Sequence, residues 1–182
     1  QVFLIKKSFF PIVLSILVIL NISAICAFSL EKQNKDDLLN VSLETSIFEF
    51  YPPSNPIASF YIRRNFEPFW LKSERRLENL VSSISGAKLH GLPLSRYPLA
   101  ELRQAIFEND LSQKAKLELM ATEAFLLFAQ DISGGILKPN MIDVNINVDP
   151  QRIEASELLA SLTESFDVSS FFQNLLPKSN EY

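Results

Sequence analysis

The chain is short of the residue types that most often do chemistry. It has one cysteine (Cys26), one histidine (His90), one tryptophan (Trp70) and four glycines among its 182 residues. A zinc site commonly takes about three or four His and Cys ligands, so a zinc centre is excluded by number. Nucleophilic catalysis needs Ser, Cys or Thr beside a base that a third group orients. His90 is the one imidazole available, no serine stands in a Gly-x-Ser-x-Gly elbow, and four glycines leave little for an oxyanion loop. A net charge of −4 without a basic cluster gives no footing for nucleic acid.

Two acidic patterns are weighed and set aside. Asp143, Asn145, Asn147, Asp149 and Glu154 fall at calcium-loop spacing, but Val148 stands where the sharp turn needs Gly, and Pro150 where an aliphatic residue belongs. The alternation in "DVNINVD" reads as a short strand or an extended connector. Glu118 and Glu123 lie on one helix pointing in different directions, so they do not make the paired carboxylates of a glycosidase.

What the chain does have is an uneven distribution of apolar residues. Lys6 and Lys7 precede a stretch without charge from Ser8 to Leu30. A positive pair, an apolar run and small residues near its end make a secretory signal peptide, cleaved near Ala27. The alternative is an uncleaved anchor in the inner membrane, since about 20 apolar residues span a bilayer. Ile25 directly before Cys26 argues against a lipoprotein. Either way the remainder is exported, and the expected location is the periplasm. Cleavage would remove the sole cysteine and two positive charges, taking the net charge from −4 to −6. An exported domain without disulfides must be held by its core.

Residues 28–56 are polar and then read "SIFEFYPPSNP", an expected linker in which Pro52, Pro53 and Pro56 oppose a helix. From residue 57 onward the pattern is helical. Leu77, Leu80, Val81, Ile84 and Ala87 follow the helical period, closing near Gly86 and ending at Gly91. Pro98 at a first helical position leads Leu99, Leu102 and Ile106 along one face. "SQKAKLELMATEAFLLFAQDI" runs from a Ser112 cap to Gly134-Gly135, and its apolar second half, Ala124 to Ala129, predicts the central core helix. Asp149-Pro150 is expected to open a helix through Leu158, Leu159 and Leu162, and Asp167 to cap a last one carrying Phe171, Phe172, Leu175 and Leu176, with Pro177 ending it. The predicted architecture is an all-α, compact bundle of about five helices with short connections, preceded by a signal peptide and a linker.

Arg63, Arg64, Arg75 and Arg76 flank Trp70, and an arginine–aromatic group can grip an anionic glycan or peptide; equally, such arginines form a solvated face over buried rings. His90 before Gly91 can hydrogen-bond the last carbonyls of a helix and complement its dipole. From its residues the chain reads as an exported helical domain without catalytic machinery, metal or cofactor.

Three stretches in order carry a resemblance: "FYIRRNFEPFWL", "AKLHGLPLSRY" and "KAKLELMATEAFLLFAQDISGGILKP". They resemble the N-terminal scaffold domain of the large L,D-transpeptidases, envelope enzymes that cross-link peptidoglycan in Gram-negative bacteria. The matching residues are Arg64, Pro68 and Trp70; His90, Gly91, Leu92 and Tyr97; and Leu119, Thr122, Glu123, Ala124 and Phe125. The closing "NLLPKSNEY" is similar to the point where that family's chain continues, so the resemblance runs from about Ala58 to Tyr182. With the N-terminal segment and the linker read from the residues, the resemblance completes three expected segments: 1–27 signal peptide or membrane anchor, 28–56 linker, 57–182 scaffold domain. It also implies that the catalytic cysteine belongs to a separate domain with a Ser-His-Gly-Cys-x-Arg signature, which this chain lacks. With Gln1 in place of Met, the expectation is a non-catalytic scaffold truncated before its catalytic domain. Its partners would be the missing peptidoglycan-binding and catalytic domains, with peptidoglycan as a further one. The rival expectation is a standalone periplasmic module that binds peptidoglycan or an envelope protein near Arg63, Arg64 and Trp70. In the scaffold reading His90 fixes a turn, with Phe69, Trp70 and Tyr97 packed around it.

Overall fold

A computed structural model describes residues 9–136, 152–165 and 167–176, with side chains from Ile25 onward except those of Cys26 and Glu74. The chain divides into two compact units, one up to Leu38 and one from Leu39. Among the described residues there are seven α-helices and no strand: α1 Phe9–Phe50, α2 Pro56–Arg63, α3 Glu74–Ser85, α4 Leu99–Ala105, α5 Leu111–Gly134, α6 Ala155–Glu164 and α7 Val168–Leu175. Two 3-10 turns, Ala87–His90 and Leu94–Arg96, connect α3 to α4. The all-α expectation is met, with two more helices than expected. The region of "DVNINVD" and the calcium-type spacing lies outside the described residues, apart from Glu154.

The largest departure in secondary structure lies within the expected linker, residues 28–56. Residues 28–50 are helical. No Gly or Pro interrupts Ala27 to Tyr51, so nothing in the stretch opposes helix continuation. Leu43 and Ile47, one turn apart, are fully buried with Ser46 beside them. The Ser42 hydroxyl donates to the Leu111 carbonyl over 3.3 Å, joining this helix to the start of α5. The prolines act at the boundary. Pro52 disfavours helical backbone at the residue before it, so α1 stops, and Pro56 then opens α2 where its missing N–H costs nothing. Asn55 caps that start by accepting from Ile57 N at 2.8 Å. Among the described residues no helix is long and apolar enough to cross a membrane.

The core of the second unit is built on α5. Ala124, Phe125, Leu126, Phe128 and Ala129 are all buried, as its apolar second half predicts. Helices α3, α4, α6 and α7 each pack against it, while α2 packs on α6 and α3 on both α4 and α7. Several boundaries differ from expectation for local reasons. The cap of α5 is Asp110, not Ser112: its carboxylate accepts from the backbone N–H groups of Ser112 and Gln113. Helix α6 begins at Ala155, with Glu154 in the cap position, well after Asp149-Pro150. Pro98 is the cap residue of α4 rather than its first turn, and Ile106, past the end of that helix, is exposed. Asp167 does cap α7, accepting from Ser170 N at 3.0 Å, and Phe171 and Phe172 point inward.

If residues 39–50 belong to the core, Ile47→Ala should cost about 2–4 kcal/mol of unfolding free energy, measured by denaturant titration. An unchanged midpoint would mean that this part of α1 detaches without consequence.

Candidate functional site

The loop between α2 and α3 meets α5 at a buried carboxylate. Helix α2 ends at Arg63 with Arg64 as its cap, and Asn65 and Phe66 follow in left-handed backbone with φ of 51° and 58°. Asn tolerates that region; a Phe there is strained and is held by its surroundings. Phe66 N donates back to Tyr61 O at 2.9 Å, and its ring meets Phe48 edge-on at 5.7 Å. The reversal turns Pro68, Phe69 and Trp70 inward, and Trp70 is wholly buried.

Glu118 on α5 receives this loop. Its carboxylate accepts the consecutive backbone N–H groups of Phe69, Trp70 and Leu71, the last at 2.9 Å, together with the Tyr61 hydroxyl at 2.9 Å. The residue has no exposed surface. Burial pushes its carboxyl above the usual range, and the N–H donors from Trp70, Leu71 and Phe69 and the Tyr61 hydroxyl pull in the opposite direction. Thr122, one turn on, completes the knot. Trp70 Nε1 donates to its hydroxyl at 2.9 Å, and that hydroxyl lies 2.7 Å from the Tyr61 oxygen. One proton order uses each O–H once: indole to Thr122, Thr122 to Tyr61, Tyr61 to the carboxylate. Burial, then the Glu118 charge, raises the Tyr61 phenol well above its ordinary range, so it serves as a donor and not as a base.

A second buried acid sits further along α5. Asp131 is paired with Arg96 through two bonds, one from Nη2 at 3.0 Å, and accepts the Tyr97 hydroxyl at 3.0 Å. Burial first, then the hydrogen bond to Asp131, holds the Tyr97 phenol protonated far above neutrality. The Tyr97 ring meets Phe128 edge-on at 5.5 Å. Among the described residues every fully buried side-chain polar atom has a hydrogen-bond partner.

His90 closes the 3-10 turn after α3, and Gly91 follows at φ 72°, a left-handed position that suits glycine. The turn is as expected. Trp70 meets Phe69 and Phe125, and Tyr97 meets Phe128. His90 borders a hollow of about 150 Å³ lined by Phe128, Ile132 and Phe172 among others, with no acid among its lining residues.

The arginines divide. Arg64 lies over the rings of Phe60 and Phe69, at 5.4 and 5.2 Å, while Arg63 is exposed. Arg76 also lies over the Phe69 ring, at 4.4 Å, and donates to the Phe69 carbonyl at 3.0 Å. Trp70, being buried, presents no ring to a glycan. Among the described residues there is a cleft of about 450 Å³ at the N-terminal ends of α3 and α7, lined by Arg75, Arg76, Phe69, Leu162, Ser165 and Asp167 among others. Among the described residues no group of three or more His, Cys, Asp or Glu could hold a metal ion.

A family model described as a Scaffold domain matches residues 55–182. The chain belongs to the Scaffold domain family. No curated protein and no solved structure matches the chain. The start of the Scaffold domain coincides with Asn55, the cap of α2.

Asp131 and the cleft were not singled out from the sequence, and Glu118 was weighed there only as half of a carboxylate pair with Glu123. For the two acids a signal existed. Ala115, Glu118, Thr122, Phe125 and Ala129 lie three and four apart, as do Ala121, Ala124, Phe128 and Asp131, so both acids fall in core-facing stripes of α5. A charge in such a stripe needs a partner, and the loop N–H groups and Arg96 are those partners.

Glu118→Ala should cost at least about 3–5 kcal/mol, because it strands buried N–H groups. Glu118→Gln tests the charge. A carboxyl whose folded pKa is raised stabilises the fold most below its unfolded pKa, and that contribution is lost as pH rises through the folded value. Urea titrations between about pH 4 and pH 8 should therefore show the parent losing stability relative to Glu118→Gln as pH increases.

Proposed function

We propose that this chain is the non-catalytic scaffold of an L,D-transpeptidase-type peptidoglycan cross-linking protein, working in the periplasm after export by its N-terminal apolar segment. In the full-length protein it would hold the peptidoglycan-binding and catalytic domains in register. One observation carries the reading: the residues behind the resemblance are structural joints. Trp70 and Thr122 share the buried knot on Glu118, Tyr97 is tied to Asp131, and Gly91 makes the left-handed turn. Phe125 stacks on Trp70 at 5.7 Å and on Phe172 at 5.5 Å. Motif residues that face one another inside a domain preserve a shape, and a shape is what a scaffold supplies. Membership of the Scaffold domain family agrees with this reading.

The test uses the purified chain with disaccharide-tetrapeptide muropeptides and a separately produced L,D-transpeptidase catalytic domain. Mass spectrometry should detect no cross-linked dimer from the chain alone, and size-exclusion chromatography should show the two proteins co-eluting. Cross-linking by the chain itself, or separate elution of the two at high concentration, would overturn the proposal.

A further inference from the structure

We propose that the cleft between the N-terminal ends of α3 and α7 is a binding site for the free C-terminal end of a short peptide. Its volume of about 450 Å³ suits one or two small residues, and its lining combines positive, apolar and hydrogen-bonding side chains. Arg75 and Arg76 supply positive charge. Arg75 is exposed and, among the described residues, has no carboxylate partner; Arg76 gives one bond to the Phe69 carbonyl and keeps further N–H donors on the same guanidinium. Both guanidinium groups line the cleft, and the planar fork of each matches a carboxylate.

Phe69, Leu162 and Val168 give the cleft an apolar surface against which a small aliphatic side chain can pack. Ser73 and Ser165 add hydroxyls that can donate or accept, and Ser73 makes no capping bond with its side chain. The remaining wall residue decides the ligand class. Asp167 lines the same cleft, held by Asn79 at 2.6 Å and by Ser170, whose backbone N–H in particular keeps its carboxyl below the usual range. A fixed negative charge beside the arginines opposes a phosphate dianion. It suits a ligand with a single carboxylate and a neighbouring N–H to donate, which is how a peptide ends. The site is independent of whether a catalytic domain docks on this chain.

The experiment titrates the full chain with N-acetyl-Ala-Ala bearing a free carboxylate, with its C-terminal amide, and with inorganic phosphate, following calorimetry and amide shifts of Asn79, Ser165 and Ser170. The acid should bind with a dissociation constant on the order of 0.1 mM and shift those amides. The amide form should bind about tenfold or more weakly, and Arg75→Gln should weaken the acid about tenfold at an unchanged melting temperature, since Arg75 is exposed. Equal binding of acid and amide overturns the proposal, as does phosphate binding as tightly as the acid, and so does an absence of shifts at the three named residues.

Discussion

The fold hangs on one unusual contact, a carboxylate without exposed surface that takes three consecutive backbone N–H groups from a loop. Burying an ionised acid costs several kcal/mol, and no basic side chain bonds to Glu118 among the described residues. Compensation comes from oriented peptide dipoles and the Tyr61 hydroxyl, each a charge-assisted bond of about 1.5–3 kcal/mol. The geometry is demanding, because three successive N–H groups converge on one point only when the loop has a particular curvature. The left-handed pair Asn65–Phe66 creates that curvature, and the knot in turn holds Phe66 in a backbone region it would otherwise avoid.

From this knot to the Asp131 pair runs a continuous path of rings. Phe60 meets Phe69, Phe69 meets Trp70, Trp70 meets Phe125, Phe125 meets Phe172, Phe172 meets Phe128, and Phe128 meets Tyr97. Most of these contacts are edge-on, the arrangement aromatic quadrupoles prefer. The path passes through α7, a helix of 8 residues that could not persist by itself. Phe172 gives it a place, touching two rings in the second half of α5. Polar pins at two places on α5 and an aromatic path between them explain how a unit of mostly short helices keeps one shape.

Much of this was legible from residue order. The central helix showed in its unbroken apolar half, the α3 face in Leu77, Leu80 and Ile84, and the last helix in Asp167 followed by two phenylalanines. The failures have physical causes. Residues 28–50 looked like a linker because charge dominates them, and a helix anchored by few side chains, chiefly Leu43 and Ile47, leaves a faint period. His90 was placed correctly at its turn, where Gly91 signals the local geometry. The Trp70 bond to Thr122 was not legible, because pairing across distant helices leaves no mark in local spacing. The cleft was invisible for the same reason: α3 supplies one wall, and the α6–α7 junction the other.

The order of synthesis adds a constraint on when this structure can close. Phe69 precedes its acceptor Glu118 by 49 residues, and Tyr61 precedes Thr122 by 61. While a ribosome extends the chain, the Phe69–Leu71 amides and the Trp70 indole emerge long before anything can receive them, and Phe171 and Phe172 come later still. Helices α2 and α3 can coil early, since their hydrogen bonds are local. The loop between them stays hydrated until α5 arrives, so assembly of the nascent chain is an end-loaded event set by one late helix.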